Sequence, residues 1–163
     1  MEIRQCENQE QLKQLADLAD VIWHEYFVSL LSKEQIDYMV EKFQSYDAID
    51  RAIKEEGYTY FLVYEEQTLI GYMGVKLEEK RLFLSKLYLR KDKRGQGLVS
   101  ILLQKAVDYA IVNGKQSIYL TCNKYNQHSL DVYHRKGFYD IDAVVSDIGH
   151  GFVMDDYILQ KDL

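Results

Sequence analysis

Proline is absent from this 163-residue chain. Its turns must therefore rest on glycine and small polar residues, not on the fixed φ of a pyrrolidine ring. Cysteine occurs only at Cys6 and Cys122. That is too few for a disulfide scaffold and agrees with a reducing, cytoplasmic setting. No apolar run is long enough to cross a bilayer, and the N-terminus lacks the basic and apolar regions of a secretory signal, so no membrane partner is expected. A basic excess is missing as well. Lys and Arg number 20 against 26 Asp and Glu, a net charge of −6, which disfavours nucleic-acid binding through a broad basic face. His24, His128, His134 and His150 have no metal-ligand spacing with cysteine or carboxylate, so no metal site is expected. Repeats, linkers and low-complexity stretches are also lacking, and the length suits one domain over residues 1–163 with a substantial core.

What is present is strongly patterned. Residues 2–6 read as a short strand. Leu12, Leu15, Ala16, Ala19, Ile22, Trp23 and Tyr26 recur at helical spacing and predict a long amphipathic helix. Ser32 and Gln35 resemble a capping box before a second helix marked by Ile36, Met39, Val40 and Phe43. A third helix is expected over 46–55, closed by Gly57. The pattern then changes to strands at 59–64, 69–77 and 82–89, joined by short turns that imply an antiparallel meander. Gly71 and Gly74 are expected to thin one face of the middle strand. A helix over 98–113, a strand over 117–121 and a closing antiparallel pair at 138–145 and 152–159 complete the pattern. Strand, helix and strand at 82–121 should form one parallel crossover. The fold class is therefore α/β: a mixed sheet, largely antiparallel, with one β-α-β crossover and flanking helices.

The stretch that carries chemistry begins at Lys91-Asp-Lys-Arg-Gly-Gln-Gly97, directly before a helix. The first four amides of a helix have no partner within it, and the aligned peptide dipoles add positive charge there. Gly95 and Gly97 let an anion approach the backbone, and Lys91, Lys93 and Arg94 add charge. A phosphate or pyrophosphate suits this loop. A dinucleotide fingerprint would need an acidic residue about twenty positions on, where Lys115 and Gln116 stand instead. Further along, Asn126 is placed as an N-cap and Gly137 as the residue after a helix end. Asn126, Ser129 and Tyr133 share one face of that helix. Cys122 is a thiol that could carry an acyl group, but its sequence neighbours Asn123 and Lys124 offer it no base, and a small core thiol is the simpler reading.

The glycine loop followed by N-x-x-S-L-x-x-Y-x-x-x-G-F resembles the GNAT superfamily of acetyl-CoA-dependent N-acetyltransferases, over roughly residues 58–160. The loop is similar to that family's pyrophosphate motif, Q/R-x-x-G-x-G/A, except that Asp92 occupies the first position. The resemblance implies acetyl-CoA as cosubstrate and direct attack of an amine on the thioester. It implies that Leu87 and Leu89 bond the pantetheine arm through their backbone and that the amide near Leu87 polarises the carbonyl. It also implies that Gly95, Gln96, Gly97, Leu98 and Val99 hold the pyrophosphate beside Arg94, and that Asn126 and Ser129 line the cofactor arm. Tyr133 would be the general acid that protonates the departing thiolate. Residues 23–26, 34–39 and 152–157 resemble the bacterial polyamine-acetyltransferase branch, which implies Glu25, Tyr26, Asp155 and Asp156 as ligands of a small cationic amine. A non-catalytic acyl-CoA-binding module of the same fold stands as the alternative, and a homodimer stays open.

Overall fold

The computed structural model describes residues 1–163. Strand β1 (Glu2–Gln5) leads into helix α1 (Gln9–Tyr26), helix α2 (Lys33–Met39), a π-helical turn (Val40–Gln44) and helix α3 (Tyr46–Glu55). Strands β2 (Tyr58–Glu65), β3 (Thr68–Leu77) and β4 (Arg81–Leu89) follow, then a 3₁₀ turn (Lys91–Lys93) and helix α4 (Leu98–Val112). Strand β5 (Ser117–Asn123), helix α5 (Gln127–Arg135) and strands β6 (Tyr139–Gly149) and β7 (Phe152–Asp162) close the chain. The strand order is β1-β2-β3-β4-β5-β7-β6, mostly antiparallel with one parallel pair, β4 with β5. The expected mixed sheet with a single crossover is the sheet observed. The residues group into two compact units, Met1–Lys76 with Lys86–Leu102, and Leu77–Ser85 with Leu103–Leu163.

In the first unit, α1 starts at a complete capping box. Asn8 Oδ1 accepts the Gln11 amide at 2.8 Å, and Gln11 Oε1 accepts the Asn8 amide at 3.2 Å. The apolar stripe then buries Leu12, Leu15, Ala19, Ile22 and Trp23. Ser32 caps α2 through the Gln35 amide at 3.1 Å. The helix expected to continue through Phe43 instead ends at Met39, and five residues turn as a π-helix. This places Gln44 wholly inside, at 0 % exposure, where a regular continuation had no reason to bury an amide. Ser45 then caps α3 by accepting the Ala48 amide.

The β2–β3 hairpin turns on Glu66 and Gln67, both at positive φ (50° and 71°). That is the mirror-image turn whose twist matches the flanking strands, made here without glycine or asparagine. The expectation that Gly71 and Gly74 thin one face is corrected by the strand period. Residues three apart point to opposite faces. A Cβ on Gly71 would lie 2.6 Å from Leu89 Cδ2 and 2.7 Å from the Tyr88 carbonyl oxygen, whereas one on Gly74 would meet the Tyr60 ring at 2.9 Å. Each glycine makes room for a different neighbour.

In the second unit the parallel register sets Arg81 against Ser117, Leu82 against Ile118 and Phe83 against Tyr119. Side chains pin it. Phe83 stacks on Tyr119 with centroids 4.8 Å apart, and the Arg81 guanidinium lies 3.9 Å from the Tyr119 ring centroid. The Tyr119 hydroxyl donates to the Glu78 carboxylate at 2.8–2.9 Å. Strand β5 pairs antiparallel with β7, and β7 with β6.

Candidate active site

The basic loop of the first unit is open where a ligand would approach. Gly95 and Gly97 have φ of +75° and +80°, and a Cβ built on either would meet nothing within 4 Å. Their glycine character serves backbone conformation and access, not packing. The first turn of α4, with Leu98 and Val99 half-buried, contains no acidic residue to oppose an anion. Gln96 donates its side-chain amide to the Asp92 carbonyl at 3.1 Å, which ties residue 96 back to residue 92. Asp92 itself accepts from Arg90 Nη2 at 3.1 Å. The first motif position thus supplies a carboxylate to a neighbouring arginine.

Arg94 is the loop residue that turns inward. Its Nε donates to the Leu89 carbonyl at 3.2 Å, and its guanidinium stands 5.0 Å from the Tyr26 ring centroid. Its Nη2 is buried and has no hydrogen-bond partner in the protein. Leu89 is buried and its side chain packs on Gly71, while Leu87 is half-buried. Strand alternation puts Lys86 and Tyr88 on the face opposite Leu87 and Leu89. There Tyr88 meets Trp23, Tyr26, Phe27 and Tyr72 at centroid distances of 5.5, 5.5, 6.2 and 5.7 Å. The Lys86 ammonium lies 5.9 Å from the Trp23 ring centroid.

A buried polar chain fixes this nest. Trp23 Nε1 donates to the Tyr72 hydroxyl at 2.8 Å, and that hydroxyl donates to Gln44 Oε1 at 2.8 Å. Gln44 Nε2 donates to the Phe43 carbonyl inside the π-turn. Full burial raises the Tyr72 phenol well above its ordinary range, so it stays protonated.

In the second unit, α5 is built as the sequence predicts. Asn126 Oδ1 accepts the Ser129 amide at 3.3 Å. At the other end Gly137, at φ +94°, completes a Schellman motif. The Gly137 amide bonds the His134 carbonyl at 3.1 Å, and the Phe138 amide bonds the Tyr133 carbonyl at 3.1 Å. The apolar contact that accompanies this motif is Tyr133 edge-on to Phe138, 5.7 Å between centroids. Asn126, Ser129 and Tyr133 are all half-buried, as residues on one shared face should be.

The model of the acetyltransferase (GNAT) family matches residues 15–138. The chain belongs to the GNAT acetyltransferase family. Enzymes of this family take their acetyl group from acetyl-CoA. The fold is similar to that of the PaiA N-acetyltransferase from Thermoplasma acidophilum, solved in complex with coenzyme A: TM-score 0.82, 21% identity, all of both chains covered. It is also similar to a GNAT acetyltransferase from Elizabethkingia anophelis solved with acetyl-CoA, with TM-score 0.60 and 15% identity over 72% of this chain and 82% of that one. A spermidine N-acetyltransferase chimera of the Vibrio cholerae SpeG and hSSAT proteins gives TM-score 0.68 and 18% identity, over 99% of this chain and 96% of that one.

Within this GNAT chain the four expected acceptor ligands sit in different surroundings. Tyr26 packs against Phe27, Tyr88 and Arg94. Glu25 is exposed and lines an open pocket of about 660 Å³ with Leu69, Arg90 and Lys91. Asp155 is ion-paired to Lys124 at 2.7 Å, and the Lys124 amide bonds the Asp155 carbonyl at 3.0 Å. Asp156 is buried and lies opposite Asn123 on β5 and Val144 on β6. Consecutive residues of a strand face apart, so Asp155 and Asp156 occupy opposite faces of β7. Burial, with Asp156 nearby, pushes the Cys122 thiol up to about 12, so it is protonated and unreactive at neutral pH.

Sequence reasoning did not find Gln44, Tyr72 and Tyr88. The fourteen tyrosines were the available signal, since buried phenols need partners. Nothing in local spacing joins positions 23, 44, 72 and 88.

Proposed function

We propose that this GNAT chain acetylates a primary amine of a small cationic acceptor, a polyamine, with Tyr133 as the general acid. The observation that carries the reading is the clamp on Tyr133. A Schellman helix end and the Phe138 ring fix the phenol on the helix face shared by Asn126 and Ser129. When bound, acetyl-CoA supplies an acetyl group activated as a thioester.

The chain's own groups fit that ligand. The loop amides from Gly95 to Val99 and the unpartnered Arg94 Nη2 offer donors to a diphosphate, with open space at both glycines. The backbone of Leu87 and Leu89 is assigned to the pantetheine arm, and an amide donor near Leu87 stabilises negative charge developing on a carbonyl oxygen. Tyr133 Oη holds the proton taken up by the departing thiolate. A phenol near pKa 10 and a thiol near 8.5 are ordinary values that match for such a transfer. The polyamine assignment is supported by the similarity to the spermidine N-acetyltransferase chimera and by the exposed Glu25 carboxylate. Asp155 and Asp156 face opposite sides of their strand, so one of them at most contributes from a given face.

The test is free-thiol release from acetyl-CoA with a panel of polyamines, aminoglycosides, amino acids and peptides. Polyamines should be the preferred acceptors, with a KM that rises with salt as exposed charges are screened. A preferred acceptor that is neutral or anionic overturns the polyamine assignment. Tyr133→Phe should lower kcat by roughly 10²–10⁴-fold, the usual general-acid contribution, with little change in acetyl-CoA affinity. Wild-type kcat in a folded variant, at a pH where chemistry limits the rate, overturns the acid assignment.

A further inference from the structure

Arg94 touches more than its loop. Its Nε donates to the Leu89 carbonyl at the end of β4, its guanidinium carbon lies over the Tyr26 ring at the end of α1, 5.0 Å from the centroid, and its Nη2 is buried without a partner. A buried guanidinium donor left unpaired carries a desolvation penalty, which a charged acceptor relieves. Tyr26 in turn packs edge-on against Phe27 and Tyr88, at 5.0 and 5.5 Å, and both rings contact Trp23. Trp23 is the sole tryptophan of the chain.

We propose that Arg94 is a positioning residue that couples the phosphate loop to the aromatic end of α1. Its Nη2 meets a phosphate oxygen of coenzyme A, and its cation–π contact with Tyr26 passes that contact to the ring nest of Tyr26, Phe27, Tyr88 and Trp23. The inference rests on the acetyl-CoA reading of the loop given above. Arginine suits the task because a planar fork can hold a carbonyl, a phosphate and a ring face together, and lysine cannot. Coupling of this kind is reciprocal. Whatever orients the guanidinium for Tyr26 also orients it for the phosphate, so loss of the Tyr26 ring must weaken coenzyme A binding even though Tyr26 belongs to a different element from the loop.

The experiment uses the full chain with coenzyme A alone, read by calorimetry and by Trp23 emission. In the wild type, coenzyme A should bind and shift the Trp23 emission. Arg94→Lys should weaken binding about 10-fold or more, in the range of one charge-assisted hydrogen bond, and abolish the emission response. Tyr26→Leu should weaken binding about 3–10-fold, the size of a cation–π contact. Tyr26→Phe, which keeps the ring, should restore both readouts and so exclude a folding defect. The Arg94→Lys/Tyr26→Leu double variant should bind no more weakly than Arg94→Lys, because both changes remove one linked interaction. Independent, additive losses overturn the coupling, as does a wild-type emission response in Tyr26→Leu. If coenzyme A binds the wild type and Trp23 does not respond, the coupling alone fails. If coenzyme A does not bind at all, the acetyl-CoA reading fails and takes the coupling with it.

Discussion

Tyr72→Phe removes one oxygen atom from the interior of the first unit and leaves the ring in place. The oxygen has two duties, accepting from Trp23 Nε1 and donating to Gln44 Oε1, both at 2.8 Å. Trp23 is 3 % exposed and Gln44 is 0 % exposed, so water cannot take over either contact. An indole N–H stranded in the core costs about 1–3 kcal/mol. Gln44 loses less, because the Tyr60 hydroxyl also hydrogen-bonds it, and the net value of one neutral bond is about 0.5–1.5 kcal/mol. The sum is about 1.5–4.5 kcal/mol. For a chain of this length each kcal/mol lowers Tm by about 2–4 °C, so the fall should be about 3–18 °C. Thermal unfolding followed by circular dichroism measures it, and the emission of Trp23 reports the same site independently. The Tyr72→Phe/Gln44→Leu double variant should lose less than the sum of its single variants, since Gln44→Leu removes the amide that Tyr72→Phe leaves short of a donor. A fall under 2 °C in Tyr72→Phe, with unchanged Trp23 emission, would show that the polar chain does not hold the nest and would refute the reasoning.

Other outcomes follow from single contacts. Gly71→Ala should destabilise by about 1–3 kcal/mol, because its Cβ meets the Tyr88 carbonyl oxygen, which cannot swing away; an unchanged Tm would contradict that close approach. Gly97→Val has open space but a φ of +80°, so it should distort the loop and weaken acetyl-CoA binding by calorimetry while Tm falls by about 2–8 °C, given a cost of about 1–2 kcal/mol for a side chain in that region. His24 is raised above its ordinary pKa, first by its hydrogen bond to Asp37 and next by the Asp20 carbonyl. Its contribution is therefore complete below the unfolded value near 6.5 and is lost as pH rises through the higher folded value. The Tm advantage of wild type over His24→Ala should be larger at pH 5.5 than at pH 8.5, and small throughout because the pair is partly exposed; an advantage that grows with pH would reverse the assignment.

The parts of the fold that the sequence discloses are those decided by neighbours along the chain. The cap at Asn126 and the stop at Gly137 are local hydrogen-bond chemistry, and they fixed the helix that carries Tyr133 to within a residue. The Asn8–Gln11 capping box has the same local character, and the N-x-x-Q spacing that marks it is present in the sequence. The π-turn is different. Ile36, Met39, Val40 and Phe43 keep regular helical spacing, so nothing local announces the extra residue. It ends on Gln44, which accepts from Tyr72, a side chain distant in sequence. The turn at Glu66–Gln67 lacks the glycine or asparagine that usually signals positive φ, so only the hairpin itself was legible.

The residues proposed for the acceptor show the same division in reverse. Asp155 and Asp156 are adjacent in sequence and invite reading as a pair. Once residues 152–159 are taken as a strand, the two-residue period already separates them, and the structure gives one to Lys124 and the other to the interior. Arg94 was legible as charge in the glycine loop, but its contact with Tyr26 was not, because that contact joins residues 68 positions apart. Local pattern therefore locates the groups that could act, while tertiary contacts decide which of them are held in place. In this chain the residues that hold, Gln44, Tyr72 and Tyr88, are uncharged and lie in no motif. Their function is visible only through what they touch.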